Sequence, residues 1–496
     1  MNATWRNNPL IYEINTWPWL HTLSQAHGRT ISLGAVPDAD LDVLAGWGFD
    51  AVWLMGVWER SPAGRIIAQE HPGLQAEYRR ALADFTPEDV VGSPYAIHRY
   101  EVDSHLGGRD ELAALRERLA ARGLKLVLDF VPNHVAVDHP WLETHPECFI
   151  HGASEDLDAQ PGHFFLGPVA SHHQVFAHGR DPHFPPWTDT AQLHAFSPVL
   201  REKAVETLCD IAGQCDAIRC DMAMLVANRI FAQTWGERAG QPPELDFWPV
   251  VIPAVKRSYP GVVFIAEVYW DMEWELQQQG FDYTYDKRLY DRLKNETARA
   301  ILAHLRADLD YQNHMLRFIE NHDEERAVRA LGPGRQLTAA ALIATLPGGA
   351  LLHEGQLQGA SIRLPVQLGR RPAEKSDPVI EAFYRAVLDE VAHPIYHHGE
   401  WVLRETSPAW DLNATHNNLI AYTWRLDRER RLIVINYAPS SSQGRIALPE
   451  FGLEGRGWQL RDVMTGAHYE RVGDDMAEFG LYVDLQPWQI HIFEIS

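Results

Sequence analysis

Short apolar runs alternate with amphipathic stretches along most of the chain, and this alternation predicts the fold. The apolar runs predict eight strands, at residues 11–14, 51–55, 124–131, 217–221, 262–268, 282–285, 316–321 and 350–355. One helical stretch starts at Pro198, and others lie near 38–47, 110–122, 245–258, 287–306, 338–346 and 376–391. Alternating strands and helices form parallel βα units, and eight units predict an α/β fold with a (β/α)8 TIM barrel.

The pattern changes twice along the chain, and both changes suggest domain boundaries. Residues 135–197 are polar and rich in His, Pro and Gly, which predicts an inserted loop region after the third strand. Beyond Pro394, apolar and polar residues alternate with a period of two, as in antiparallel sheets. We therefore expect a barrel over residues 1–393 and a C-terminal all-β domain, a small β-sandwich, over 394–496.

The composition limits the partners. The 496 residues include 44 Lys and Arg and 67 Asp and Glu, a net charge of −23. Such an acidic surface argues against nucleic acid and anionic membranes as partners. No apolar stretch is long enough to span a membrane, and the N-terminus lacks signal-peptide features. Four cysteines without a disulfide pattern make a reducing cytoplasm the expected location, and the oligomeric state is not indicated.

Three acidic residues stand at or just beyond the ends of predicted strands. Asp221 follows Arg219 by two positions, which puts both side chains on one face of a strand. Taken alone, this pair is better explained as a buried structural ion pair. However, Glu267 and Asp323 close two other apolar runs, and barrel enzymes carry their chemistry at the carboxyl ends of the strands. The sequence therefore predicts one active-site rim.

Two carboxylates on either side of one bond can cleave a glycoside, one as acid and the other as nucleophile or base. Asp221, kept ionised by Arg219, suits the nucleophile. Glu267 lies among apolar residues, where desolvation favours the protonated form that a general acid needs. Asp323 would stabilise positive charge developing on the sugar.

Four ordered motifs carry a resemblance to glycoside hydrolase family 13, the α-amylase family. They are DFVPNH at 129–134, AIRCD at 217–221, AEVYW at 266–270 and IENHD at 319–323. The resemblance implies retaining double displacement on α-glucosides, through a covalent glycosyl–aspartate, by hydrolysis or transglycosylation. It implies Asp221 as nucleophile, Glu267 as acid/base and Asp323 as transition-state stabiliser.

The resemblance also implies the residues that bind the sugar and orient the nucleophile. Arg219 matches the arginine that orients the nucleophile, and His134 and His322 match the pair that hydrogen-bonds the sugar at the cleaved linkage. Tyr95 matches the tyrosine that stacks under that sugar, although a packing role for this ring is a reasonable alternative.

The chain departs from typical α-amylases after Asp221. Met224 and Leu225 stand where those enzymes have Lys-His, a pair that contacts the leaving-group sugar and helps to hold calcium. No cofactor is therefore required, although Asn133 with Asp189 could still bind Ca²⁺. Two such donors fall well short of the roughly 6–8 oxygen ligands that calcium takes.

Two alternatives remain open. RCDMAM and ENHDEER resemble the branch near the maltosyltransferases that use maltose 1-phosphate, and a transferase of that kind needs cations near the leaving group. Arg363, Arg370 and Arg371 are candidates, although a solvated surface cluster explains them better. The other alternative is a non-catalytic barrel that serves as a binding module, but such a barrel would be expected to lack one of the three acids.

Overall fold

The computed structural model describes residues 5–168 and 174–496, and the chain forms two compact units. The first unit contains Ile11–Tyr285 and Ile362–Ala373, and the second contains Trp5–Leu10, Asp286–Ser361 and Glu374–Ser496. Within these described ranges, no helix is both long and apolar enough to cross a bilayer.

The strands and helices as far as Tyr285 make up most of the first unit. The strands are β1 Leu10–Asn15, β2 Ala51–Met55, β3 Trp58–Arg60, β4 Ile97–Val102, β5 Lys125–Phe130, β6 His134–Ala136, β7 His151–Gly152, β8 Phe164–Leu166, β9 Val175–Ala177, β10 Thr190–Gln192, β11 Ala217–Cys220, β12 Val263–Ala266 and β13 Tyr283–Tyr285. The helices are α1 Thr16–His27, α2 Asp38–Gly46, α3 Pro62–Glu70, α4 Pro72–Ala81, α5 Gly108–Ala120, α6 Trp141–Thr144, α7 Ser154–Ala159, α8 Pro198–Gln214, α9 Asn228–Trp235, α10 Phe247–Ser258 and α11 Glu273–Gln278.

The elements from Asp286 onward belong to the second unit. The strands are β14 Met315–Arg317, β15 Gly349–His353, β16 Glu400–Arg404, β17 Thr406–Ser407, β18 Leu419–Leu426, β19 Glu429–Asn436, β20 Ser442–Ile446, β21 Gly457–Asp462, β22 His468–Val472, β23 Leu481–Leu485 and β24 Ile490–Ile495. The helices are α12 Lys287–Asn295, α13 Ala298–Leu305, α14 Leu309–Asn313, α15 Ala327–Ala330, α16 Pro333–Thr345, α17 Pro378–Val391, α18 Ile395–His398 and α19 Gly473–Phe479.

Eight strands close into a barrel in the order β1-β15-β14-β13-β12-β11-β5-β2. These are the eight strands predicted from the apolar runs, so the predicted (β/α)8 barrel is confirmed. Strands β1, β2 and β11 are buried along their whole length. A parallel barrel strand is covered on both faces, which explains why these strands read as continuous apolar runs rather than as alternating patterns.

Two predicted elements differ from the structure. The helix expected at 287–306 is divided into α12 and α13, because Glu296 and Thr297 adopt extended backbone between them. Threonine is a weak former of helix interiors, and the apolar periodicity alone did not reveal the break.

The predicted loop region 135–197 contains short helices and the antiparallel pair β6–β10. The domain boundary near Pro394 stays a prediction.

The C-terminal segment forms the predicted antiparallel sheets. One has six strands in the order β16-β18-β19-β24-β21-β22, and the other has three in the order β17-β20-β23. Their shared apolar core includes Leu419, Val434 and Leu460 from the larger sheet and Ile446 and Val483 from the smaller one. Alternate residues of each strand point inward, which is the period-two pattern seen in the sequence.

A buried ion pair anchors α12 in the second unit. Asp286 is fully buried, caps the helix by accepting from the Leu289 amide at 3.0 Å, and lies 3.2 Å from Arg317 Nε. The His304 ring is 3.0 Å from the same carboxylate. Burial by itself raises the pKa of Asp286, but the neighbouring His304 and Arg317 outweigh burial and lower this pKa below its ordinary value.

We expect Asp286→Asn to lower the free energy of unfolding by about 3–5 kcal/mol near pH 7, because it leaves the buried Arg317 charge without its counter-ion. A depressed carboxylate pKa stabilises the fold above the unfolded-state value, and this contribution disappears as the pH falls through the native pKa. The difference between variant and wild type should therefore shrink below about pH 4. Denaturant titrations of both proteins at several pH values measure this difference in the free energy of unfolding.

A matched control lies on the same helix. Asp291 pairs with Lys287 at 2.6 Å but is 45% exposed, so Asp291→Asn should change the free energy of unfolding by less than about 1 kcal/mol. Equal effects of the two substitutions would show that the buried pair does not anchor the helix.

Candidate active site

The candidate site of the first unit is built by three neighbouring barrel strands. Strand β11 lies between β5 and β12, with Arg219 opposite Asp129 on one side. The Asp221 amide donates to the Phe130 carbonyl at 2.8 Å, and the Glu267 amide donates to the Cys220 carbonyl at 3.0 Å. Because parallel strands carry these residues to the same level, their side chains meet at the carboxyl ends of the strands.

The Arg219 guanidinium binds all three of these carboxylates. Its Nη1 donates to Asp221 Oδ1 at 2.8 Å and to Asp129 Oδ1 at 3.3 Å, and its Nη2 donates to Glu267 Oε2 at 2.7 Å. Arg219 is 1% exposed, and the three acids are buried as well. The predicted pairing of Arg219 with Asp221 is therefore present, and the same cation also binds Glu267.

Three aromatic rings enclose the same guanidinium. The Cζ of Arg219 lies 5.0 Å from the ring centre of Trp53, 5.3 Å from that of Tyr95 and 5.7 Å from that of Tyr285. Burial opposes the charge on Arg219, but Glu267 and the other neighbours outweigh burial and hold its pKa well above the ordinary value. Arg219 therefore stays cationic, with three aromatic rings close to its guanidinium.

Glu267 accepts hydrogen bonds from three different groups. Besides Arg219, its Oε2 accepts from the Met222 amide at 2.7 Å, and its Oε1 accepts from the Tyr269 hydroxyl at 2.6 Å. The Met222 amide points there because Met222 has a left-handed backbone, with φ of 40°. Glu267 is buried, as the sequence predicts, but it is not surrounded by apolar groups alone.

His134 follows β5 and is buried beside Trp187, with the two ring centres 5.0 Å apart. Burial lowers the pKa of His134 to about 3. At neutral pH the ring is therefore uncharged and has one N–H to donate. A neutral imidazole beside an aromatic ring is a suitable partner for a sugar hydroxyl.

In the second unit, His322 and Asp323 follow β14. Their side chains pair at 3.0 Å, with the His322 side chain 2% exposed and the Asp323 side chain 49% exposed. Asn321 shapes this turn by accepting from the Asp323 and Glu324 amides at 3.0 Å. The structure thus brings together Arg219, Asp221, Glu267 and Tyr95 in one unit and His322 with Asp323 in the other. The convergence of Asp323 with the first group stays a prediction.

Sequence reasoning did not assign roles to Tyr269, Tyr285 and Trp53. Tyr285 lies at the end of the short strand β13, where an aromatic residue at a strand end could have pointed to the site. The contact of Tyr269 with Glu267 depends on the turn after β12, and a short motif does not specify that geometry.

The residues proposed for calcium do not fit that ion. Asn133 Oδ1 accepts a hydrogen bond from Gln192 Nε2 at 3.0 Å. Asp189 lies just before β10, and burial raises the pKa of its carboxyl to about 6, which weakens it as an anionic ligand. Within residues 5–168 and 174–496, no group of three or more His, Cys, Asp and Glu side chains has a metal-binding arrangement.

A closed (β/α)8 barrel with paired carboxylates at neighbouring strand ends is an architecture that barrel glycoside hydrolases use. The family model of the alpha-amylase catalytic domain matches residues 38–166. Together with the ordered motifs and the relatives described next, this partial match supports the resemblance to the α-amylase family, glycoside hydrolase family 13.

Two relatives illustrate the range of proteins to which the chain is similar. Alpha-amylase MalA from Haloarcula japonica is 23% identical over 493 residues, which cover 95% of this chain and 60% of that protein. An alpha-1,4-glucan:maltose-1-phosphate maltosyltransferase from Rhodospirillum rubrum is 34% identical over 117 residues, which cover 22% of this chain and 15% of the relative. The chain spans 60% and 56% of the lengths of the first two curated relatives that it matches.

Solved structures confirm the fold over the whole chain. A noncanonic maltogenic alpha-amylase AmyB from Thermotoga neapolitana has a TM-score of 0.70 at 19% identity, with 99% of each chain covered. The alpha-amylase GTA from Geobacillus thermoleovorans, complexed with acarbose, has a TM-score of 0.69 at 18% identity and covers 100% of this chain and 99% of its own.

We expect Arg219→Met to destabilise the protein by about 3–5 kcal/mol at neutral pH, because it leaves three buried carboxylates without a cation. Carboxylates buried in this way have native pKa values above their unfolded values, so the folded variant binds more protons than the unfolded one. Relative to the wild type, the variant should therefore gain stability as the pH falls from 8 to 5, which thermal unfolding at both pH values can measure.

Arg109 provides the control for this substitution. It pairs with Asp210 at 2.7 Å and is 50% exposed, so Arg109→Met should cost less than about 1 kcal/mol and show little pH dependence. An Arg219 variant that became less stable on acidification would contradict the assigned charge balance.

Proposed function

We propose that this protein is a retaining enzyme acting on α-glucosidic linkages of maltooligosaccharides or small α-glucosides, by hydrolysis, transglycosylation or both. The bridging of Asp221 and Glu267 by the two terminal nitrogens of Arg219 carries this proposal. Retaining glycosidases need their two carboxyl groups only about 5–5.5 Å apart, and carboxylates bound to one guanidinium are close neighbours. A cytoplasmic location stays a prediction from the sequence.

Asp221 is the proposed nucleophile. Its carboxylate attacks the anomeric carbon of the donor sugar while the bond to the leaving oxygen breaks, and Glu267 gives that oxygen a proton. Glu267 then takes a proton from water or from a sugar hydroxyl, which attacks the glycosyl–aspartate and releases the product. The two inversions together retain the α configuration. Asp323 is proposed as the stabiliser of the transition state, on the basis of its motif position.

Arg219 supports both halves of this cycle. It keeps Asp221 ionised and oriented for attack. When Glu267 carries the proton that it donates, its ion pair with Arg219 weakens. The guanidinium then pairs mainly with Asp221 and Asp129. Arg219 can therefore balance two states of the site. In one, Glu267 is protonated and Asp221 and Asp129 are ionised; the other is the arrangement seen without a ligand.

Sugar binding is proposed for Tyr95, His134 and His322. Tyr95 is half-buried over Arg219, so part of its surface is open to a ligand. The neutral His134 can donate one hydrogen bond to a hydroxyl without adding charge to the pocket. His322, paired with Asp323, is proposed to bind the same sugar by analogy of motif position.

The maltose 1-phosphate alternative gains little from the structure. Arg370 donates to Asp84 at 3.0 Å and to Asp89 at 2.9 Å, so its charge is already balanced by two acids. Arg371 Nε donates to the Thr22 hydroxyl at 2.9 Å. Hydrolysis or transfer between sugars is therefore preferred to a dedicated phosphate-dependent transferase, and mass analysis of products from maltose 1-phosphate would separate the two.

Asp221→Asn should reduce turnover of an activated α-glucoside by at least about 1,000-fold, because the amide cannot form the glycosyl ester. Asp216 precedes the same strand at its opposite end and pairs with Arg116 at 2.8 Å. Asp216→Asn should keep turnover near the wild-type rate. Near-normal activity of the Asp221 variant would exclude Asp221 as the nucleophile.

The stereochemistry of the first product is a separate test. Proton NMR during the first minutes of hydrolysis should show the α-anomer before mutarotation, because two displacements at one carbon restore its configuration. An initial β-anomer would mean a single displacement and would contradict the retaining mechanism, even if Asp221 proved essential.

A further inference from the structure

A buried network of side-chain amides lies at the base of the inserted region, where strands β6 and β10 pair. Gln192 is fully buried and stands opposite His134 in this antiparallel pair. Its Nε2 donates to the Asn133 carbonyl at 2.9 Å, to Asn133 Oδ1 at 3.0 Å and to the Leu193 carbonyl at 2.9 Å. One NH2 group thus donates to three oxygens, and both of its hydrogens take part in hydrogen bonds.

The orientation of this amide is determined by its neighbours. Main-chain carbonyls can only accept hydrogen bonds, so the NH2 end of Gln192 must face Asn133 and Leu193. The other end, Oε1, accepts from the Arg180 amide at 3.2 Å and from Asn133 Nδ2 at 3.3 Å. Both ends of the Gln192 side chain are therefore bound, and its flipped orientation would place acceptors against acceptors.

The same reasoning extends to His134. Because Asn133 Oδ1 accepts from Gln192, the Asn133 amide presents its NH2 end, Nδ2, to the His134 ring at 3.3 Å from Nδ1 and to the Arg180 carbonyl at 3.5 Å. An NH2 group can only donate, so this contact favours the His134 tautomer with Nδ1 unprotonated and the proton on Nε2. The chain of amides thereby selects one tautomer of a residue beside the proposed site.

We propose that the Gln192 amide takes the place of a bound calcium ion and, through Asn133, holds His134 in the tautomer with Nε2–H. The oxygens that converge on Gln192 Nε2 are one side-chain amide oxygen and two main-chain carbonyls, which are donors that calcium also uses. An NH2 group satisfies them without a net charge and occupies the space where a cation would lie. The use of Nε2–H in sugar binding rests on the proposed function, but the amide network itself does not.

Replacing the donor by an acceptor gives the sharpest test. In Gln192→Glu, carboxylate oxygens face the three oxygens that were hydrogen-bonded, so in EDTA the midpoint of thermal unfolding should fall by about 3 °C or more. The carboxylate has the same shape as the amide and fills the same space, so it leaves no room for a cation. Millimolar CaCl2 should therefore not restore the lost midpoint in this variant.

The wild type and a matched variant are the controls. The wild-type midpoint should be the same in EDTA and in CaCl2. Gln69 is half-buried, and its amide donates to the Pro87 carbonyl at 2.8 Å in an exposed hydrogen bond, so Gln69→Glu makes the same chemical change outside the network and should leave the midpoint near that of the wild type. A wild-type midpoint that falls on chelation, or a Gln192 variant as stable as the wild type in EDTA, would overturn the proposal.

The tautomer is tested without any variant of Gln192. Long-range ¹H–¹⁵N correlation spectra of the wild type, with His134 assigned by its absence in His134→Gln, should show a neutral ring with protonated Nε2 at pH 7. Detection of the Nδ1–H tautomer would overturn the proposal even if Gln192→Glu failed to fold. Because neither the spectra nor the unfolding midpoints need substrate, these outcomes are independent of whether the proposed glycosidase activity is found.

Discussion

One buried cation against three buried acids is the interaction on which the candidate site depends. Arg219 cannot lose its proton, and its contacts with Asp129, Asp221 and Glu267 stabilise charges that would otherwise be costly inside the barrel. The planar guanidinium has donors in several directions, so a single side chain fixes the positions of several acids at once. The arrangement is possible because parallel strands bring residues far apart in sequence to the same end of the barrel.

Much of the fold could be predicted from the sequence, since most barrel strands are short, largely apolar runs that the structure buries. Strand β14 shows the limit of this reasoning. It ends at Arg317, although the predicted strand continues to residue 321, because the segment beyond it leaves the barrel to form the turn with His322 and Asp323. Apolar residues after a strand end can be buried as well, so hydrophobicity does not mark the boundary.

The candidate site was predictable only in part, for a similar reason. Arg219, Asp221 and Glu267 stand at strand ends, and motif order pointed to them directly. Tyr269 and Gln192 were given no role because their contacts depend on the turn after β12 and on an antiparallel pairing within the inserted region. Such geometry arises from how distant segments meet, and neither composition nor periodicity records it.

The departures from the family pattern form a consistent picture. Met224 and Leu225 are buried apolar side chains in a short turn after β11, where the resemblance to the α-amylase family implies a polar pair. In the inserted region, the Gln192 amide donates hydrogen bonds to oxygens of Asn133 and Leu193, which are of the kinds that calcium also binds. Both changes fit the proposal that amide hydrogen bonds, rather than a bound cation, hold the inserted region.

Covalent trapping tests the central claim most directly. Incubation with 5-fluoro-α-glucosyl fluoride should slow the second displacement more than the first and allow the glycosyl–enzyme to accumulate. Mass spectrometry should then show one fluoroglucosyl group per chain, and peptide mapping should locate it on Asp221. A label on Glu267 or another residue, or turnover of the reagent with no covalent species at any time, would contradict the assignment of Asp221 as the nucleophile.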